Sequence, residues 1–311
     1  MIDVSLVIPV LNEEGTLKTL TNKILTVLRS ENLQGEIYFI NDGSTDQTPE
    51  ILDTLAKDIE QVSVIHFRRN KGKAAALQAG FRQVKGRYVI TMDGDLQDDP
   101  EEIPRLLAKL KEGWDMVSGW KKVRHDPLSK TLPSKLFNKT TSLLTGIRIH
   151  DFNCGLKAYR KEVVQSISLY GELHRYIPVL AKMEGFRVTE IPVTHHPRTS
   201  GKSKYGAGRM FKGFFDLITV LFLARFTLRP MHFFGMLGLL SVIVGIGVEV
   251  WVLILKYAYH EPFQTHVAML LFGILLLILG IQLVSMGLIG EMLVYQFRKN
   301  KRRSGGDDDT G

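Results

Sequence analysis

Two nearly uninterrupted apolar runs, residues 233–255 and 267–290, constrain this chain more than any other feature. At about 1.5 Å per residue each run reaches roughly 35 Å as a helix, enough to cross a hydrocarbon core of about 30 Å. Only residues 256–266 separate them, which predicts a transmembrane hairpin rather than two buried core helices. Arg225 and Arg229 precede the first run, and Arg298, Lys299, Lys301, Arg302 and Arg303 follow the second. The connecting loop offers only Lys256 against Glu261. Positive charge gathers on the cytoplasmic side of a membrane, so both termini are expected there. Nothing at the N-terminus reads as a secretory signal. Its apolar run, Val4 to Leu11, is short, contains Pro9 and has no basic segment before it. The residues before the hairpin are therefore expected to stay in the cytosol. A single cysteine, Cys154, excludes an intramolecular disulfide and fits a reducing compartment.

Ahead of the hairpin, residues 1–204 read as an α/β domain. Val4 to Val10 is a β-rich run, consistent with a buried parallel strand. Leu17, Leu20, Ile24, Leu25 and Leu28 mark one face of a helix from about 14 to 30. Glu36 to Ile40 predicts a second strand, Thr48 to Ile59 a second helix, and Val62 to Phe67 a third strand. Lys73 to Gln83 predicts a third helix and Tyr88 to Met92 a fourth strand. This alternation predicts a mostly parallel, doubly wound sheet. Glu102 to Lys111 continues as helix, Met116 to Gly119 as a short strand, and Arg187 to Val193 as another. Residues 120–133 form a basic loop with two prolines, and 134–145 a short amphipathic helix. Residues 205–229 mix Phe211, Phe214 and Leu221 with Arg209, Lys212 and Arg225, a pattern that suits a helix lying at the membrane interface. Residues 230–297 hold the hairpin, and 298–311 a basic and then disordered tail.

The chemistry concentrates after the fourth strand, in Asp93-Gly94-Asp95-Leu96-Gln97. Two carboxylates and an amide leave the C-terminal end of a strand together, where open α/β sheets hold their ligands. Hard oxygen donors suit Mg²⁺ or Mn²⁺, which complete their shells with water and substrate phosphate. The competing reading is an acidic helix start, since Asp98, Asp99, Glu101 and Glu102 follow and would complement a helix dipole. The formal net charge of +8 calls for anionic partners. With no nucleic-acid motif present and the charge gathered near the apolar runs, phosphate substrates and anionic lipid head groups fit better than nucleic acid.

These residues resemble the family 2 glycosyltransferases of the GT-A fold. Within that family the chain is similar to the polyprenyl-phosphate glycosyltransferases, the group of the dolichol-phosphate mannose synthases. Its two-span tail is most similar to bacterial polyisoprenyl-phosphate glucosyltransferases. The resemblance covers about residues 3–228 and rests on five segments in order. Val7 to Glu13 resembles the opening nucleotide-binding strand, although many members carry an aromatic residue where this chain has Leu11. Asn41 to Asp46 resembles the second turn, Asp93 to Gln97 the metal motif, Asp151 to Lys157 the segment with the active-site aspartate, and Arg198 to Lys204 a phosphate-gripping loop. The resemblance implies a Rossmann-like catalytic domain. It implies that Pro9, Leu11, Glu13, Asp42, Lys73, Asp93 and Gly94 bind the nucleotide-sugar, and that Asp93, Asp95 and Gln97 hold Mg²⁺ or Mn²⁺. Ser134, Arg124, Arg198, Ser203 and Lys204 would bind the acceptor phosphate, with Lys121, Lys122 and Lys130 competing with Arg124. Asn138 matches the same pattern as Ser134, and His174, Arg175 and Tyr176 would lie near the sugar.

The reaction the resemblance implies is inverting transfer of a hexose to a polyprenyl phosphate, with UDP-glucose the first donor and GDP-mannose the next. Asp151, Asp95 and Arg198 would carry the chemistry, Asp151 either as general base or as the group that orients the acceptor. A processive polysaccharide synthase would usually carry a Gln-x-x-Arg-Trp element and more spans, and neither occurs here. An inactive membrane-tethered scaffold would not need the Asp93, Asp95 and Gln97 set. Glu249 and Gln282 are costly in lipid and are expected to face other protein, either each other or a second copy. Gly235, Gly238, Gly245, Gly247 and Gly273 would permit close helix contact. A homo-oligomer is expected, a tetramer being one form that satisfies it.

Overall fold

Strand β1 (Val4–Val10) is buried on both faces, as a central parallel strand requires. Its side chains alternate between two helix layers. Val4, Leu6, Ile8 and Val10 join one cluster with Leu17, Leu20, Ile24 and Leu28 of α1 (Leu17–Ser30). Leu52 of α2 (Thr48–Asp58) and Leu106 and Leu110 of α4 (Ile103–Lys111) complete that layer. Val7 points the other way, against Gly80 of α3 (Lys73–Phe81), where a Cβ would collide with it. Each fully buried Leu, Ile or Val in these layers contributes about 1.5–3 kcal/mol. The structure is a computed structural model, and it describes residues 2–122, 138, 141, 142, 145–196 and 230–304, with side chains to residue 296.

The chain divides into two compact units, Met1–Val220 and Leu221–Gly311. The first is built on a seven-stranded sheet in the order β3-β2-β1-β4-β6-β5-β7. Strands β2 (Gly35–Asn41), β3 (Val62–His66) and β4 (Tyr88–Thr91) lie parallel to β1, with Val7 opposite both Tyr38 and Thr91. β5 (Met116–Trp120) pairs in parallel with β7 (Val188–Pro192). Between β4 and β5 runs β6 (Lys157–Arg160), antiparallel to both. This strand was not expected from sequence. It has only four residues and carries a lysine and an arginine at its ends. Its register sets Lys157 opposite Thr91 and opposite Ser118, just below the end of β4. Two short helices, α5 (Lys161–Ser166) and α6 (Ile177–Met183), were likewise not foreseen.

The second unit is a helical hairpin of α7 (Pro230–Tyr257) and α8 (Val267–Ser304). Both helices are long and apolar enough to cross a membrane. They meet through glycine: a Cβ on Gly238 would lie 2.7 Å from the Gly280 carbonyl, and one on Gly245 would lie 3.1 Å from that of Gly273. Ser241 Oγ adds a hydrogen bond to the Leu276 carbonyl at 2.8 Å. Leu239, Ile243, Leu275 and Ile281 stay exposed, an inverted arrangement that suits lipid. Glu249 turns inward against Gly273, while Gln282 faces outward, and no hydrogen bond joins the two among the described residues. Helix α8 also runs through the basic stretch Arg298–Arg303, where the charge run had predicted a tail. Arg, Lys and Gln are good helix formers, and the first glycine after α7's partner run is Gly305. The expected interfacial helix, 205–229, lies outside the described residues.

Candidate active site

Three turns meet at the C-terminal ends of β1, β2 and β4. After β1, Asn12 adopts a left-handed backbone, φ +52°. Its N–H donates to Ser44 Oγ at 2.9 Å, and its Oδ1 accepts from the Thr45 N–H at 2.8 Å. The Glu13 N–H donates to Thr48 Oγ1 at 3.0 Å. The first two turns are thereby clamped together, with Leu11 and Glu13 half-buried between them. Asp42 is buried, and its two oxygens accept the N–H groups of Lys71 (2.7 Å) and Gly72 (3.0 Å). The described contacts thus give Asp42 a backbone-shaping task. It fixes the loop that delivers Lys73 at the start of α3.

Lys73 extends to Asp93 and forms an ion pair with its Oδ1. Pro9 and Leu77 line the same small cavity, with Lys157, His174 and Arg175 behind. Asp93 lies directly on Gly155, where a Cβ would sit 2.6 Å from Asp93 Oδ2. Gly94 is equally constrained, since a Cβ there would lie 2.7 Å from Val10 Cγ1. Its carbonyl accepts from Thr16 Oγ1 at 2.6 Å, which ties the Asp93–Gln97 loop to the first turn. Asp95 Oδ1 accepts the Gln97 N–H at 3.2 Å. Between them Leu96 holds φ +61°, a conformation costing a branched residue roughly 1–2 kcal/mol. Gln97 Nε2 donates to the His196 carbonyl at 3.3 Å, and the His196 N–H returns a bond to the Gln97 carbonyl at 2.9 Å.

The acidic run after Gln97 splits by function. Asp99 caps a 3-10 turn through the Glu101 N–H (3.1 Å) and holds His196 Nε2 at 2.8 Å. Asp98 instead goes inward, only 2% exposed, to Lys121 Nζ at 3.2 Å, and accepts the Asp93 N–H at 3.3 Å. Sequence reasoning missed Asp98, because the surrounding carboxylates made it read as part of a solvated helix start. It set Lys121 among the candidate phosphate-binding cations, whereas the described geometry commits that ammonium to Asp98.

Charge is densely packed here. Burial alone would raise the Asp93 carboxyl, but Lys73, Lys121 and Lys157 outweigh it and hold the group far below the usual carboxylate range. Lys121 is opposed by burial and yet kept charged by Asp98, with Asp93 and Asp151 adding to it. Lys157 is pulled down by burial and by Lys73, and donates to the Cys154 carbonyl. Burial pushes the Cys154 thiol up to about 12, which makes it an inert packing group. Burial, then Lys73, Arg175 and Lys157, push His174 down to about 2, so it stays neutral.

Asp151 is buried at 1% exposure, and its Oδ1 accepts the Asn153 N–H at 3.0 Å. The chain before it is anchored by Asn138 Nδ2, which donates to the His150 carbonyl at 2.8 Å, and by His150, which stacks on Trp120 at 4.3 Å and pairs with Glu190. Lys121 and Lys157 each feel both Asp93 and Asp151, so the two carboxylates belong to one electrostatic neighbourhood. The structure therefore brings Pro9, Lys73, Asp93, Gly94, Asp95, Gln97 and Asp151 to one end of the sheet. Arg124, Ser134, Arg198, Ser203 and Lys204 lie outside the described residues.

Among the described residues no three His, Cys, Asp or Glu side chains converge as a ready-made metal cage. Two carboxylates on one short loop fit a hard cation that keeps water and takes phosphate oxygens instead. Gly155 preserves the room Asp93 needs for that. The donor set thus suits Mg²⁺ or Mn²⁺.

Residues 5–168 match the family model described as Glycosyl transferase family 2. A dodecaprenyl-phosphate galacturonate synthase of Rhizobium johnstonii is 35% identical over 96% of this chain and 90% of its own length. An undecaprenyl-phosphate 4-deoxy-4-formamido-L-arabinose transferase of Pseudomonas paraeruginosa is 36% identical over 93% of this chain and 84% of its own. Among solved structures, glucosyl-3-phosphoglycerate synthase of Mycobacterium tuberculosis, in complex with Mn²⁺, UDP-glucose and phosphoglyceric acid, superposes with a TM-score of 0.55. That match covers 71% of this chain and 79% of the other at 17% identity, a likeness of fold alone.

Proposed function

Because the chain belongs to glycosyl transferase family 2, and within it to the polyprenyl-phosphate sugar transferases, we propose that it transfers a hexose from a nucleotide-sugar to a polyprenyl phosphate, inverting the anomeric carbon. The observation that carries this reading is the pair Asp93 and Asp95 at the end of β4, with Lys73 on Asp93 and the donor-side turns clamped around it. Asp93 and Asp95 would hold Mg²⁺ or Mn²⁺, with Gln97 alongside. The ion would supply Lewis-acid neutralisation of the departing diphosphate. Lys73, delivered by the Asp42-shaped loop, binds phosphate as a point charge. Pro9, Leu11, Glu13 and Gly94 form the remaining donor wall.

On the acceptor side, Arg198 and Lys204, with Ser134, Arg124 and Ser203, draw in the lipid phosphate. A monoester phosphate has a second pKa near 6 and so is mostly ionised at neutral pH. Little deprotonation is then required, and Asp151 acts by orienting the acceptor and steadying positive charge on the sugar ring. A single in-line displacement converts an α-linked donor into a β-linked lipid product.

The hairpin would seat this machinery in the cell membrane, with the catalytic unit and both termini cytoplasmic, as the flanking arginines and lysines favour. The outward Gln282 favours a homo-oligomer, a tetramer being one candidate state. UDP-glucose is the first donor to test and GDP-mannose the second. The sugars named for the two relatives add nucleotide-linked galacturonate and 4-deoxy-4-formamido-L-arabinose to the panel. Each radiolabelled donor is incubated with polyprenyl phosphate and membranes holding the full chain, and lipid is extracted. Label in the organic phase with at least one donor is expected. Label confined to water with every donor overturns the reading, and a retained anomeric configuration overturns the single displacement.

A further inference from the structure

We propose that Lys73 is the resident counter-cation of Asp93, held on that carboxylate until a donor diphosphate draws it off, so that metal ion and donor enter together rather than metal first. This rests on reading Asp93 and Asp95 as the metal-holding pair.

Three lysines bear on Asp93, and they are not equivalent. Lys121 is tied to the buried Asp98 at 3.2 Å. Lys157 is 3% exposed and donates to the Cys154 carbonyl. Lys73 stands at the mouth: its side chain is 30% exposed, and that of Asp93 is 32% exposed. Behind Asp93, Gly155 leaves no space for anything larger than hydrogen. A cation approaching Asp93 therefore comes from the side that Lys73 covers. It must displace the Lys73 ammonium, while Lys121 and Lys157 stay where Asp98 and the Cys154 carbonyl hold them.

A bare divalent ion gains less from that exchange, since one of its two carboxylates must first be taken from Lys73. A diphosphate changes the balance twice over. Its oxygens complete the shell of a Mg²⁺- or Mn²⁺-like ion, and they give the Lys73 ammonium a new anionic partner. Asp42 makes the transfer possible by fixing the backbone at Lys71 and Gly72, so that only the Lys73 side chain has to move. Binding of the two ligands is then positively coupled, and by linkage each tightens the other by the same factor.

The test needs no turnover. Purified full-length protein in detergent is titrated with Mn²⁺ and free Mn²⁺ is read by electron paramagnetic resonance, without nucleotide, with UDP, and separately with GDP. In the wild type, one of the two nucleotides is expected to tighten Mn²⁺ binding by about 10-fold or more. Lys73→Met is expected to tighten nucleotide-free Mn²⁺ binding by about 10-fold, to weaken metal-free nucleotide binding, and so to shrink the coupling. Lys73→Arg should stay close to wild type in nucleotide-free Mn²⁺ affinity. Equal Mn²⁺ affinity of the wild type with and without nucleotide overturns the proposal. So does an unchanged or weaker nucleotide-free affinity in a Lys73→Met protein that melts like wild type. If Lys73→Met does not fold, the wild-type comparison decides alone. Labelled lipid product together with uncoupled Mn²⁺ binding would sink this inference and leave the transferase reading standing.

Discussion

The sheet unit and the hairpin both rely on glycine for close approach, and they use it for different ends. In the sheet unit Gly155 admits a charged side chain, so that Asp93 lies against backbone at the end of β4. In the hairpin Gly238 and Gly280 admit each other's backbones, so that two apolar helices touch without side chains between them. The surroundings explain the contrast. Inside the sheet unit apolar burial already holds the layers together, and glycine is free to shape a charged site. Between helices in lipid, burial of apolar side chains gives no advantage over the solvent, and backbone contact must supply the attraction. Gly273 does some of each, lying opposite Gly245 and receiving the Glu249 side chain.

The strongest way to break this contrast is to remove the charge that the sheet unit is built to hold. Replacing both Asp93 and Asp95 with alanine should cut turnover by about a thousandfold, the several kcal/mol that a catalytic cation contributes. Some stability should be lost as well, because Asp93 also neutralises Lys73, so turnover is compared per folded protein. Lipid-extraction assays beside thermal melts check this. Undiminished transfer by a folded double variant would show that the loop carries no chemistry.

A paired substitution sharpens the contrast at smaller scale. In Gly155→Ala the new methyl would sit 2.6 Å from Asp93 Oδ2, and in Gly238→Ala it would sit 2.7 Å from the Gly280 carbonyl. Each should cost about 1–3 kcal/mol of stability through overpacking. Only Gly155→Ala should also depress turnover in the fraction that stays folded, since it pushes the carboxylate itself. Melting curves, with transfer rates normalised to folded protein, separate the two. Equal losses of turnover would mean that the hairpin shapes the site as much as the sheet does.

The sequence was most legible where one physical demand dominated. β1 and β2 announced themselves as short, nearly continuous apolar runs because both their faces are buried, and α1 by an apolar period of about four. The hairpin was legible by length and hydropathy, although Glu249 against Gly273 needed coordinates. That Asp93 and Asp95 leave the end of a strand together was legible, because the apolar run Tyr88 to Met92 stops directly before them. The failures share a cause. Lys157 is a buried lysine in an antiparallel strand, so hydrophobic patterning could not mark it. Asp98 and Lys121 neutralise each other inside the protein, while in the sequence each sits among like charges that suggest exposure. The partnership of Asp42 with the Lys71 and Gly72 amides spans about thirty residues, and no local rule reports it.

The smallest effect concerns His174, and it should appear in the sheet unit alone. Burial, followed by Lys73, Arg175 and Lys157, takes its pKa from an ordinary 6.5 down to about 2. Below about pH 6.5 the unfolded chain therefore binds a proton at this position that the folded chain refuses. Stability carried by the neutral ring is complete above that pH and is lost as pH falls toward the folded value. The slope is up to about 1.4 kcal/mol per pH unit. His174→Gln removes this proton uptake. Whatever the variant costs at neutral pH, its melting temperature should approach that of wild type as the buffer moves from about pH 7 to about pH 4.5, by roughly 2–4 °C for each kcal/mol. A gap that stays constant across that range would mean the ring is protonated in the folded protein, and that the cations around Asp93 lie further from it than the geometry requires.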